Sequence, residues 1–488
     1  MNSSAVRKGV CTAVLVTLVS YAGGAFAAAG DSRAVAQVIE SIDAGQFKAA
    51  EARIADALAQ RNLAEAERSA LEFERERMRR IHLDFTLTEA DVEAQLRRQM
   101  PDLTADEFRA WNEAGLLEKR VIDGQTRYFK RAPSNLFRLS AQAAARRSTP
   151  FSDGPMEKAN AHHREIRDDA VASGKTSVAP RRVRVSYSIS VDPNAVPAGE
   201  TVRAWLPFPR ALPGQQEDVR LIDSAPAKHT LAPESTLQRT LYLEQPAKSD
   251  QPTKFSTTYE LTIFAQDHRI DPDRIVAANI TPELAAHLGE RKPHIVFTDD
   301  IRKFSRAVVG EEKNPYRIAQ KLFAAVDRIP WAGALEYSTI SNISDYALKA
   351  GHADCGQQTL LLMTLLRLNG IPARWQSGWV FSDGDYDNMH DWGWLHLAPY
   401  GWVPMDVTTG RLQSGDPALD SFYLGGLDAY RIVFNDDFSQ PFFPTKQHFR
   451  SETVDSQRGE VEWDGGNLYF DQWDYEFTAK VLPSKQFE

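Results

Sequence analysis

Cys355, His390 and Asp406 are the residues whose types and order could do chemistry. A thiol becomes a nucleophile when an imidazole takes its proton and a carboxylate fixes that imidazole's tautomer and orientation. The stretch Gly351-His352-Ala353-Asp354-Cys355-Gly356-Gln357-Gln358-Thr359 runs into Leu360 to Asn369 and then Gly370-Ile371-Pro372-Ala373-Arg374. Leucines and Met363 cover every side of this run, which predicts a helix buried throughout. Asp354 can cap its start, while Gly370 with Pro372 ends it. Cys355 then stands at the positive end of the helix, where unpaired N–H groups and the dipole favour thiolate and draw its pKa below the unperturbed value of about 8.5. The same N–H groups could hold a developing oxyanion. Asp354 opposes the thiolate unless its carboxylate points away.

The elements that must position these side chains follow in order. Trp375 to Val380 reads as a strand, Phe381 to Met389 as a polar loop, and His390 to Leu397 as a second strand. A turn at Pro399-Tyr400-Gly401 leads to Trp402-Val403-Pro404-Met405-Asp406. Consecutive antiparallel strands place the start of one beside the end of the next, so His390 and Asp406 become neighbours at one sheet edge with the Cys355 helix packed across it. Each residue has a plainer role available. A single cysteine is ordinarily a small buried apolar residue; His390 could serve the surface or the core, and Asp406 could simply end a strand. Trp375, Trp379, Trp392, Trp394 and Trp402 read as core or cleft wall.

Three separated blocks carry a resemblance: Asp354-Cys355-Gly356 with its leucine-rich helix into Gly370-Ile371-Pro372-Ala373-Arg374; Gly378-Trp379 with His390-Asp391-Trp392; and Gly401-Trp402-Val403-Pro404-Met405-Asp406-Val407-Thr408. In these the chain resembles the transglutaminase-like superfamily of papain-type cysteine enzymes over about sixty residues. The resemblance implies Cys355 as nucleophile, His390 as general base and acid, and Asp406 as orienting carboxylate, with no cofactor. It also suggests Trp331 as a neighbour of the nucleophile, although the residues flanking it align poorly.

Composition bounds the rest. The formal net charge is −9, with 25% charged and 42% hydrophobic residues and no long basic run, which argues against nucleic acid as a partner. Arg7 and Lys8, the apolar stretch Val10 to Val19 and Ala25-Phe26-Ala27 read as a cleaved export signal over residues 1–27, too short to span a bilayer. Of the two cysteines, Cys11 would leave with that signal, and Cys355 would remain unpaired in an oxidising compartment. No later stretch is apolar enough to cross a membrane, so a periplasmic or secreted protein is expected. Asp383-Gly384-Asp385-Tyr386-Asp387 begins like a calcium loop but has Asn388 and Trp394 where glycine and glutamate are needed. His352, His390 and His396 lack zinc spacing, so no metal site is expected.

At 488 residues the chain exceeds one hydrophobic core. The expected organisation is α+β: a helical N-terminal domain at 28–145, a polar linker at 146–180, a β-sandwich at 181–270, a transglutaminase-like core (a buried helix packed on an antiparallel sheet) at 271–440, and C-terminal strands at 441–488 pairing with an earlier sheet. Capping boxes at Thr88/Asp91 and Thr104/Glu107 start helices, and Asp123-Gly124 turns a hairpin. Val183, Val185, Tyr187, Ile189 and Val191 alternate with polar residues as a half-buried strand. The expected function is a cysteine-dependent amide hydrolase or acyltransferase acting on a protein or peptide through a thioester. The alternative is a binding or assembly module on the same scaffold, its protein partner met by the N-terminal helices.

Overall fold

The computed structural model describes residues 32–149, 151 and 154–483. The expected leader, with Cys11, lies outside the described residues. Cys355–Leu368 is a helix whose residues Gly356 to Arg367 are all buried. It lies across a four-stranded antiparallel sheet in the order Gly401–Met405, Asp387–Leu397, Ala373–Phe381, Arg431–Asn435. His390 pairs with Gly378 and Gly393 with Met405, which brings the start of the Asp387 strand towards the residue that follows Met405. The fourth strand was not foreseen in the sequence, and it explains Gly378. A Cβ there would overlap the Ile432 carbonyl oxygen, so glycine lets the Arg431 strand close on its neighbour.

Two further five-stranded sheets lie upstream and downstream of this core in sequence. In one, Thr253–Asp267 and Ser177–Val191 form the long central pair; Trp473–Val481 adds to the second of these, while Gln216–Ala225 and Gly426–Leu427 add to the first. The other runs Gly466–Leu468, Glu460–Trp463, Thr201–Pro207, Thr240–Pro246, His229–Leu231. Val183, Val185, Tyr187, Ile189 and Val191 are buried along one face, as period-two alternation requires. The C-terminal segment thus supplies strands to both sheets.

In the N-terminal region, both capping boxes form and the hairpin turns at Asp123-Gly124, each with positive φ as a tight hairpin turn needs. Val92, Leu96, Phe108, Trp111 and Leu136 build a separate small core there. The preceding helices Arg33–Asp43, Phe47–Leu58 and Glu65–Asp84 instead share one continuous apolar core with the sheets. Glu65–Asp84 reaches the centre of the molecule through charge: Arg77 donates to Thr339 O at 3.2 Å, Arg80 to Ser451 O at 2.9 Å, and Asp84 accepts from Glu336 N at 3.0 Å. The stretch read as a polar linker also contains a helix, Ala161–Ser173, capped by Asn160 and buried through His162, His163, Ile166 and Ala170. Two buried histidines on its inner face hid it from apolar periodicity.

Candidate active site

Cys355 opens its helix behind Asp354, whose carboxylate accepts from Gln357 N at 3.1 Å while Gln357 Oε1 accepts from Asp354 N at 3.2 Å. The approach is fixed from outside the helix. Ala332 N donates to Ala353 O and Ala353 N to Pro330 O, both at 3.1 Å, so Trp331 runs beside the nucleophile's chain entry. Gly356 has no room for a side chain, because a Cβ would overlap the Tyr337 hydroxyl and crowd Asp391.

His390 and Asp406 meet as a pair, with Nε2 2.8 Å from Asp406 Oδ2. That bond places the neutral ring's proton on Nε2 and leaves Nδ1 as a base. Asp406 is fully buried, and burial alone would raise its pKa; the charges of His390 and Arg431 and the Thr409 hydroxyl instead hold it well below the usual carboxylate range. Arg431 lies 2.9 Å from Asp406 and 2.5 Å from Asp428. Asp428 in turn accepts from Tyr423 at 2.9 Å. Asn160 N donates to His163 Nδ1, so Nε2 carries the ring proton and donates to the Tyr423 oxygen at 3.0 Å. A buried polar chain therefore runs from the Ala161 helix to the carboxylate behind His390. Burial lowers the His163 pKa to about 4, so that ring is neutral.

The thiol is differently placed from what the helix-dipole argument predicts. Cys355 is half-buried, and its Sγ donates to Asp391 Oδ2 at 3.1 Å. Burial, then the charges of Asp391 and Asp354, push its pKa well above the ordinary thiol value. The expected depression is overturned: partial charge at a helix end is outweighed by desolvation and two carboxyl groups. Tyr337 faces both carboxyls, 2.9 Å from Asp354 and 3.3 Å from Asp391. Gln457 binds Asp391 Oδ1 at 2.8 Å and the His390 carbonyl at 2.9 Å, tying the strand to the C-terminal segment.

Asp391, Arg431, Tyr337 and Gln457 carried no role in the sequence reading. Asp391 stood inside a quoted motif and was the one with a legible signal, an acid beside a candidate catalytic histidine. Four of the five tryptophans are buried and their indole N–H groups are spent on packing: Trp392 and Trp394 donate to Gln376, Trp375 to Ser377 and Trp379 to Gln457 O. Trp402 is half-buried beneath the Arg374 guanidinium.

A cysteine-headed buried helix laid on an antiparallel sheet that bears a histidine–aspartate pair is a cysteine-enzyme type of scaffold. Residues 302–407 match the transglutaminase-like superfamily, and this part of the chain is a transglutaminase-like core. No curated protein matches the chain. Three solved structures are similar in part. A Cytophaga hutchinsonii protein described as a candidate cysteine protease is 13% identical, over 63% of this chain and 93% of its own, at TM-score 0.41. The periplasmic domain of TgpA from Pseudomonas aeruginosa, bound to ethylmercury, is 14% identical over 50% and 94%, at TM-score 0.25. A candidate protease from Parabacteroides distasonis is 9% identical over 53% and 68%, at TM-score 0.20. Among the described residues no helix is long and apolar enough to cross a membrane.

Proposed function

We propose that the protein is an exported cysteine-dependent amide hydrolase, with Cys355 as nucleophile, His390 as proton carrier and Asp406 as the carboxylate that orients it. The observation that carries this reading is the His390–Asp406 pair at 2.8 Å, buttressed by Arg431 and leaving Nδ1 as the basic nitrogen. In the reaction the sulfhydryl leaves Asp391, its partner here, and is brought to His390 Nδ1, to which it gives up its proton. The sulfur attacks the amide carbon, and first-turn N–H groups of the Cys355 helix take the oxyanion. His390 returns the proton to the leaving amine, and water, activated by the same imidazole, hydrolyses the thioester. An amine in place of water would give transamidation; hydrolysis is favoured because water needs no binding site for a second substrate.

The test is cleavage of a mixed library of tryptic peptides followed by mass spectrometry. Wild-type protein is expected to generate new termini, and Cys355→Ala, folded by circular dichroism, none. Undiminished cleavage by Cys355→Ala contradicts the reading. The bond from the thiol to Asp391 rather than to an imidazole favours a second reading, a binding module on an idle scaffold, which predicts no cleavage by either protein.

A further inference from the structure

Asp391 is 1% exposed, and its oxygens face a thiol at 3.1 Å, a phenol at 3.3 Å and a primary amide at 2.8 Å, none of them a cation. Beyond it lies a second carboxyl, Asp455, 2% exposed and accepting from Ser377 Oγ at 2.6 Å. The two carboxyls share a hydrogen bond, which requires a proton between them. Asp406 has the opposite surroundings, an imidazole and a guanidinium. One site thus contains a carboxylate kept ionised by cations and a carboxyl pair that shares one proton and one negative charge, the arrangement by which neighbouring acids are given different tasks.

We propose that the Asp391–Asp455 pair holds Cys355 as a resting thiol, making Asp391 a catalytic-site residue that sets the pH at which the nucleophile becomes available. This rests on the reading of Cys355 as the nucleophile. In the resting state the sulfur's proton stays on the sulfur and points to Asp391 Oδ2; ionisation there would place a thiolate against an acceptor oxygen. The groups facing the thiol from each packed element agree on the sign. Asp354, from the helix start, raises the cost of negative charge on the sulfur; Tyr337, from the preceding turn, and Tyr386, from the loop before the Asp387 strand, are phenols whose own ionisation the sulfur's charge would oppose. His390, bonded to Asp406 with Arg431 behind it, is the group that takes the proton in the proposed reaction. Arg450 and Arg458 lie on the Asp455 side, where their charges favour the ionised form of Asp455 and so leave the shared proton to Asp391. Burial and the neighbouring carboxyls raise both the Asp391 carboxyl and the Cys355 thiol, in keeping with this arrangement.

The experiment is the rate of alkylation of Cys355 by iodoacetamide across pH 5–10, read by mass spectrometry on the Cys355 peptide. For wild type the midpoint is expected above about 8.5, the value of a free thiol. In Asp391→Asn, which keeps the shape and removes the acid, the midpoint is expected at least one unit lower, with at least tenfold faster alkylation at pH 6.5. A wild-type midpoint below 7, or an Asp391→Asn midpoint unchanged from wild type, overturns the proposal. Should Asp391→Asn fail to fold, the wild-type midpoint decides alone. The outcome is separable from that of the proposed function, since alkylation needs no substrate: a shifted midpoint without peptide cleavage sinks only the hydrolase, and Cys355-dependent cleavage with an unshifted midpoint sinks only this inference.

Discussion

Two aspartates one strand apart show how neighbours, not residue type, decide a carboxyl's role. Asp406 sits between His390 and Arg431, which hold its pKa well below the usual carboxylate range; Asp391 sits against a thiol and a second acid, and burial with Asp455 pushes its pKa up. Arg431→Met removes the guanidinium that satisfies both Asp406 and Asp428, leaving buried charge uncompensated at a cost of about 3–5 kcal/mol. The expected result is a lower melting temperature, measured by circular dichroism. The pH dependence follows from the sign of the shifts. Asp406 and Asp428 both have folded pKa values below their unfolded ones, with Asp428 at about 2, because Arg431 and the nearby histidines overcome burial. Their stabilisation is therefore complete above pH ~4 and is lost as pH falls through the folded values. In Arg431→Met the acid loss should begin at higher pH. At this scale the pairing of His390 with Asp406 was legible because the two residues fall in ordered blocks on consecutive strands. Arg431 was not, since it opens a short strand after an irregular stretch and no local pattern ties it to a carboxylate 25 positions earlier.

At the scale of elements, the segment between the Arg431 strand and Glu460 does much of the joining. Within it Gln457 holds the His390 strand, Asp455 holds Ser377, and Glu452 lies buried near Asp455. Burial, then Asp455, push the Glu452 pKa up to about 8, with Arg458 only partly offsetting them. A folded pKa above the unfolded value of about 4.3 means that the unfolded chain ionises first as pH rises. Stability from this group is full below that unfolded value and falls until about pH 8. Glu452→Gln should therefore melt above wild type at pH 9, with the gain shrinking towards zero at pH 5; differential scanning calorimetry checks both. The buried helix and the first three strands of the core were readable from leucine content and turn residues. The Ala161 helix and the joining segment were not, because histidine, arginine and acid side chains bury them, and polar burial leaves no apolar period to read.

Across the whole molecule, the N-terminal helices are part of the support for the site. Asp84 accepts from the backbone of Glu336, beside Tyr337, which faces Asp391; Arg80 reaches the segment that holds Gln457. The partner-facing role expected of this region therefore cannot use the inner face of the Glu65–Asp84 helix, which is spent within the chain. Sequence reading placed these helices apart because their first-order pattern is that of a helical bundle, whereas their contacts to the core are made by single long charged side chains. These contacts support the strand whose Asp391 holds the Cys355 sulfur, and in the proposed function the chemistry of that sulfur is the protein's chemistry. The most direct test is to alkylate the native protein with iodoacetamide at pH 9, remove samples as modification proceeds, and measure peptide cleavage against the alkylated fraction of Cys355. Cleavage is expected to fall in direct proportion and to reach zero at full modification. Cleavage that persists on fully alkylated Cys355 would contradict the proposed function.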